Sequence, residues 1–168
     1  MGIDPGRHDE FDELLKSHLG IIRKVTNAWG RKETDRDDLA QEILVQLWRS
    51  FNTWDRSRKF STWMYRVALN VAISFSRKNN RQTIVSLDDR IEEVAVHTDS
   101  DPEWREQVGE LYRFIDDLDP LHRALVLLYL DDNSYREIAD VLGITETNVA
   151  TKISRLKKQM SNKLNPLS

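Results

Sequence analysis

Residues 134–160 leave the chain little local choice. Ser134 is followed three residues on by Glu137, the spacing of a capping box, in which two side chains satisfy backbone N–H groups at a helix start. Gly143 ends that helix, because glycine accepts the left-handed conformation needed just past a helix terminus. Thr145 is placed to cap a second helix, although Asn148 stands where Glu or Gln would complete a second box. Two helices joined by a short Gly-containing turn form a helix-turn-helix.

The second of these helices has one apolar face. Val149, Ile153, Leu156 and Met160 follow helical spacing and are expected to pack on Ile138, Ala139 and Leu142. The opposite face carries Thr147, Thr151, Ser154, Arg155 and Lys158, flanked by Asn148 and Lys152. Hydroxyls, an amide and cations are the groups that read base edges and grip phosphates, so this is a candidate DNA-reading surface. The competing reading is an ordinary helical hairpin with a solvated polar face.

Charge distribution says more than net charge. The 168 residues carry a net charge of −3, which argues against a general nucleic-acid glue. Yet residues 56–82 hold seven cations (Arg56, Arg58, Lys59, Arg66, Arg77, Lys78, Arg81) and no acid. Residues 86–119 hold twelve acids and three cations, and the segment from Ser134 onward is basic again. Two basic blocks separated by an acidic one suggest two polyanion-facing surfaces and a connector that avoids DNA. A chain of this length suits one domain or two small ones. With no cysteine, disulfides and thiolate metal sites are excluded. The absence of a long apolar run or signal-peptide pattern gives the expectation of a soluble, cytoplasmic protein with no membrane insertion.

Periodicity gives an all-α architecture. A first amphipathic helix is predicted over about 9–29, from the stripe Phe11, Leu14, Leu15, Leu19, Ile22, Val25 and Trp29, with residues 1–8 as a loose tail. A second runs over about 37–51, with Leu39, Ile43, Leu47, Trp48 and Phe51 inward and Asp38, Gln41, Glu42 and Gln46 outward. A third covers about 60–79, its inward stripe being Phe60, Trp63, Met64, Val67, Ala68, Val71 and Phe75. Trp63 is thereby assigned to the core, whereas Tyr65 and Arg66 lie off the stripe and are candidates for surface contact. Residues 83–103 lose periodicity and read as a flexible acidic linker, with room for a short helical turn near residues 87–94. Beyond it, Val108, Leu111, Tyr112, Ile115 and Leu118 mark one helix. Asp119 and Pro120 start the next, with Leu121, Ala124, Leu125 and Leu128 inward. The expected division is a helical domain over 9–82, the linker, and a helix-turn-helix domain over 104–168.

The chain shows no Gly-rich phosphate loop and no H-E-x-x-H or G-x-S-x-G pattern. His8, His18, His97 and His122 fall in different elements and read as surface or half-buried histidines. No catalytic residue, metal site or cofactor is expected, and the chain is not read as an enzyme.

The order of parts resembles the sigma-70 family. Asp38-Leu39-Ala40-Gln41-Glu42-Ile43 is similar to that family's D-x-x-Q-E helix. The stretch Phe60-Ser61-Thr62-Trp63-Met64-Tyr65-Arg66-Val67-Ala68-Leu69-Asn70-Val71-Ala72 resembles its F-x-T-W-L-Y-R-I-A-x-N-x-A motif. Ser134-Tyr135-Arg136-Glu137-Ile138-Ala139 is similar to its S-Y-E-E-I-A opening. The short two-domain layout points to the extracytoplasmic-function (ECF) group of RNA polymerase sigma factors.

The resemblance implies a set of roles. Asp38, Gln41 and Glu42 would dock on the largest subunit of core RNA polymerase. The helix over 60–81 would meet the −10 promoter element through Tyr65, Arg66, Asn70, Arg77, Lys78 and Arg81, with Asn70 near a flipped base. The last helix would read the −35 element through Thr147, Asn148, Thr151, Lys152, Arg155 and Lys158. Relatives often carry Arg where this chain has Ala150, which offers only an apolar contact. The resemblance also implies an anti-sigma factor as partner. Two alternatives remain at this level: a helix-turn-helix regulator acting without polymerase, and a helical adaptor that binds no DNA.

Overall fold

The computed structural model describes residues 4–78 and 101–164. Residues 83–100 of the expected linker, its expected turn near 87–94, His97 and Arg81 lie outside the described residues. Every regular element among the described residues is helical, as periodicity requires. The chain divides into two compact units, Met1–Asn80 and Arg81–Ser168.

In the first unit α1 (Pro5–Ser17), α2 (Leu19–Trp29), α3 (Glu33–Ser50) and α4 (Phe60–Lys78) follow in order, with a single 3-10 turn at Phe51–Thr53. The predicted helix over 9–29 is therefore two helices, broken at His18. Side chains cause the break. Ser17 Oγ donates to the Glu13 carbonyl (3.0 Å) and His18 Nδ1 to that of Leu14 (2.7 Å), satisfying acceptors at the end of α1. His18 itself leaves the helical region (φ −126°, ψ 16°), and its ring meets Phe60 edge-on at 5.0 Å. The break shifts the helical phase, so Leu19, expected in the core, is 51% exposed. Nor are residues 4–8 a loose tail. Asp4 caps α1 by accepting from the Gly6 N–H, and Pro5 occupies its first turn.

α2, α3 and α4 pack pairwise around Val25, Leu39, Ile43, Leu47, Met64 and Ala68, all fully buried. The turn from α2 to α3 requires glycine at residue 30. A Cβ there would sit 2.5 Å from Arg36 Cγ and 3.0 Å from its backbone. That closeness lets the buried Arg36 donate Nη1 to the carbonyls of Gly30 and Arg31. α3 begins at Glu33, earlier than periodicity indicates, because Glu33 and Asp35 favour the positive end of the helix dipole.

The second unit contains α5 (Pro102–Asp116), α6 (Pro120–Leu130), α7 (Tyr135–Leu142) and α8 (Glu146–Leu164). Asp101 caps α5 by accepting from the Glu103 N–H, so the last two residues of the expected linker, 102 and 103, are helical. Asp119 caps α6 with Pro120 at its first position. The capping box at α7 is complete: Glu137 N–H donates to Ser134 Oγ (3.1 Å) and Ser134 N–H to Glu137 Oε2 (2.8 Å). Gly143 adopts φ 68°, ψ 34°, and Thr145 Oγ1 accepts from the Asn148 N–H at 3.1 Å. Ile138, Val149, Ile153 and Leu156 are buried where α7 and α8 cross, joined by Leu125 and Leu128 of α6. Val141 rather than Leu142 completes the α7 contribution, since Leu142 stays half-buried at the turn. Burying each of these aliphatic side chains stabilises the unit by roughly 1.5–3 kcal/mol.

Candidate nucleic-acid interface

Three polar faces, on α3, α4 and α8, contain the described residues that the sequence singled out, except Tyr65. On α3, Asp38, Gln41 and Glu42 are all exposed, opposite the buried Leu39, Ile43 and Leu47. Val45 extends the same face and is 48% exposed. Its spacing from Gln41 and Glu42 was the available signal, and the polar pattern obscured it.

α4 is turned relative to its expected phase. Its buried residues are Phe60, Thr62, Met64, Tyr65, Ala68, Leu69, Ala72 and Phe75. Tyr65, taken from sequence as a surface contact, is 1% exposed and belongs to the core. The reason is tertiary. α4 packs against both α2 and α3, so its buried arc widens to include Tyr65 and Leu69. Trp63, Val67 and Val71, expected inside, are correspondingly half-buried. They form an apolar flank beside the exposed Arg66, Asn70, Ser74, Arg77 and Lys78. Trp63 is also oriented at its polar end, with Nε1 donating to Thr53 Oγ1 at 3.2 Å. Asn70 makes no side-chain hydrogen bond to another described residue and faces outward.

The basic block begins before α4, in the connection over residues 51–59. Arg56, Arg58 and Lys59 are exposed there. The Arg56 guanidinium forms a two-pronged ion pair with Glu10 of α1, its Nη2 lying 2.8 Å from Glu10 Oε2. The hydrogen bond from Arg56 holds the Glu10 carboxyl below its ordinary pKa and raises that of Arg56.

On α8, Thr147, Asn148, Thr151, Ser154, Arg155 and Lys158 are exposed and Lys152 is half-buried. Thr151 Oγ1 donates to the Thr147 carbonyl at 3.0 Å, which leaves its oxygen lone pairs as acceptors toward solvent. Two nearby cations turn back on their own unit. Lys157 lies over the Tyr129 ring at 4.6 Å, and Lys163 pairs with Asp117 at 3.3 Å. Lys152 and Arg155 border a cleft shared with Asp117, Asp119 and His122. Burial pushes the Asp119 carboxyl up, but hydrogen bonds from the His122 backbone and ring outweigh it, so its pKa lies below the ordinary value.

Among the described residues no cluster of His and carboxylate side chains could hold a metal ion, and no helix is long and apolar enough to cross a membrane. An all-helical unit with outward polar faces on α3 and α4, followed by a helix-turn-helix unit, defines a class of transcription protein. The comparisons agree. The sigma-70 region 2 family matches residues 14–82, and the sigma-70 region 4 family matches residues 109–160. The ECF RNA polymerase sigma-E factor of Escherichia coli K12 is 30% identical over 144 residues, covering 79% of this chain and 75% of that protein. ECF RNA polymerase sigma factor SigE of Mycolicibacterium smegmatis is 26% identical over 166 residues, and the match takes in 96% of this chain but 64% of SigE. Among solved structures, the sigma factor RpoE of Bartonella quintana, in complex with the anti-sigma factor NepR, superimposes with a TM-score of 0.73. The identity is 17%, and 95% of this chain and 99% of that one are covered. The chain belongs to the sigma-70 family of RNA polymerase sigma factors, in its ECF group.

Proposed function

We propose that this chain binds core RNA polymerase through the α3 face, contacts the −10 promoter element with the outer strip of α4, and reads the −35 element with α8. The observation that carries the reading is the presence of three outward faces of different chemistry in one chain. The α3 face has acids and amides, suited to a protein partner. The α4 strip has an exposed amide, Asn70, without a hydrogen-bond partner among the described residues, between cations and half-buried Trp63 and Val67, suited to an unstacked base. The α8 face has hydroxyls, an amide and cations on a recognition helix, suited to a duplex groove. Neither a polymerase-independent regulator nor an adaptor accounts for the first two.

In this reading Asp38, Gln41 and Glu42, with Val45, form the dock. Arg66 and Asn70 meet the promoter strand, while Arg77, Lys78 and Arg81 attract it without regard to sequence. Thr147, Asn148, Thr151 and Lys152 lie in the half of α8 that reaches base edges, and Arg155 and Lys158 grip phosphate. The protein performs no chemistry itself and works in the cytoplasm beside the core enzyme. The RpoE complex with NepR supports an anti-sigma factor as a further partner.

Run-off transcription with purified core, on promoters found by genome-wide mapping of the bound protein, tests the whole reading. Transcripts that depend on this protein are expected. A Gln41→Ala, Glu42→Ala double variant keeps its helicity, because alanine favours helix, and loses core in a pull-down. Unchanged core capture would remove α3 as the dock.

A further inference from the structure

α1 packs more sparsely on α2, α3 and α4 than those helices pack on one another, and its inner side chains converge on one place. Phe11 meets Trp48 at 5.2 Å and Phe51 at 5.1 Å, both edge-on. The Arg7 guanidinium lies 4.9 Å from the Trp48 ring and 5.9 Å from that of Phe51, and its Nη2 donates to the Trp48 carbonyl at 3.3 Å. That carbonyl is in the last turn of α3 and also accepts from the Phe51 N–H at the helix end. One turn further along α1, Glu10 takes both outer nitrogens of Arg56. So α1 holds the last turn of α3 and, through Arg56, the connection that leads into α4.

That connection is also braced from within. Trp54 Nε1 donates to the Arg58 carbonyl at 3.0 Å, and Asp55 accepts from the N–H and hydroxyl of Ser57 at 3.0 and 2.8 Å. The Trp54 ring stacks with Phe51 and meets Phe60 edge-on at 5.2 Å, and Arg56 lies over it at 5.2 Å. The result is a small stiff turn that presents the exposed cations Arg58 and Lys59 at the head of the Arg66–Asn70 strip. Its internal bonds set its shape. The Glu10–Arg56 pair and the Arg7 stack, formed across 46 and 41 residues of sequence, tie it to α1.

We propose that α1 is a positioning element for promoter recognition: Glu10 and Arg7 hold the 51–59 connection in register with the outer strip of α4. The inference rests on the assignment of α4 to the −10 element. An exposed ion pair adds little stability, since solvent screens it and ordering two long side chains costs entropy. The value of Glu10 therefore lies in placement, and its loss registers in DNA discrimination and not in melting temperature. A site held loosely by its supporting shell loses precision before it loses fold.

The test compares holoenzyme binding to forked promoter DNA carrying the native −10 sequence with binding to the same fork with that element scrambled. The promoter is one that the wild-type holoenzyme opens. Glu10→Gln and Arg7→Met are expected to lower the native-to-scrambled affinity ratio by about tenfold, the order of discrimination that one base-edge interaction supplies. Core affinity, melting temperature and binding to −35 duplex should stay as in wild type. The charge exchange Glu10→Arg with Arg56→Glu should restore the ratio, because it rebuilds the tie in the reverse sense. An unchanged ratio in Glu10→Gln, or tighter binding to both forks, would overturn the inference; tighter binding would make Glu10 a mere competitor of phosphate for Arg56. Failure of the charge exchange to restore the ratio would also overturn it, assigning the deficit to an Arg56 side chain that itself touches DNA. If the wild-type holoenzyme itself does not distinguish the two forks, the assignment of α4 fails and not the role of α1.

Discussion

α4 and α8 have the same length, 19 residues each, and opposite economies of surface. α8 buries a single seam, Val149, Ile153 and Leu156, and leaves most of its circumference polar. α4 buries eight residues between two neighbours and keeps only a narrow outer strip, bordered by half-buried Trp63, Val67 and Val71. A broad hydrated face matches a duplex groove lined by base edges and phosphates. A narrow amide-bearing strip with an apolar flank matches a base that has left the stack, whose faces need apolar cover and whose edge needs a hydrogen bond. The difference is one of packing. Each helix presents whatever its neighbours leave uncovered.

The largest effects should come from the buried side of this contrast. Tyr65→Ala is expected to destabilise the first unit by about 3–5 kcal/mol, the range for losing a large buried aromatic. Ile153→Ala should cost the second unit about 2–5 kcal/mol by the same cavity argument. Denaturant titration of the full chain reads both. A Tyr65→Ala protein of wild-type stability with altered promoter use would return Tyr65 to the surface and break the comparison.

Next come the amides proposed to face bases, Asn70 and Asn148, each expected to supply about 1–3 kcal/mol of base discrimination. Asn148→Ala should change which promoters are bound in duplex form. Asn70→Ala should leave closed-complex binding nearly intact and diminish opening, read as loss of permanganate-reactive thymines at saturating holoenzyme. Normal reactivity in Asn70→Ala would leave the α4 strip without its distinguishing property. On a premelted bubble the Asn70→Ala defect should persist, because the proposed contact is to a base already out of the stack.

The proposed phosphate contacts should be smaller and indiscriminate. Lys158→Ala should weaken all promoters alike and reduce the salt slope by about one. Promoter choice that shifts with Lys158 and not with Asn148 would reverse the roles assigned along α8.

The smallest effect concerns the corner that borders the Lys152–Arg155 side of α8. Asp119 caps α6, and its folded pKa is depressed. Its stabilisation is therefore complete above the unfolded carboxylate value and is lost as pH falls through the lower folded value. Asp119→Ala should cost about 1 kcal/mol at neutral pH, typical of a lost helix cap. Thermal melts of the variant and wild type should converge as the pH drops below about 3.9, the usual Asp value. A difference that stays constant into acid would show that the carboxylate charge plays no part.

The helix-turn-helix was legible in the chain because its determinants are local. The Ser134–Glu137 box, the left-handed Gly143 and the Thr145 cap each join residues three or four apart, so side-chain chemistry alone specifies them. The same holds for Asp119 and Pro120 at α6. The all-α class followed from periodicity in the same way. What sequence could not supply was the rotation of α4, the exposure of Leu19 and the engagement of the first turns of α1. Tyr65 is inside because two helices flank α4, and no property of the stretch around it encodes two neighbours instead of one. Leu19 is outside because His18 resets the helical phase, with its ring placed against Phe60, far along the chain. Arg7 and Glu10 find Trp48 and Arg56 across more than forty residues, where no periodic signal reaches. Hydrogen bonds within a turn of helix belong to the sequence. The angle at which one helix faces another belongs to the packed core, which forms only when all of its sides are present.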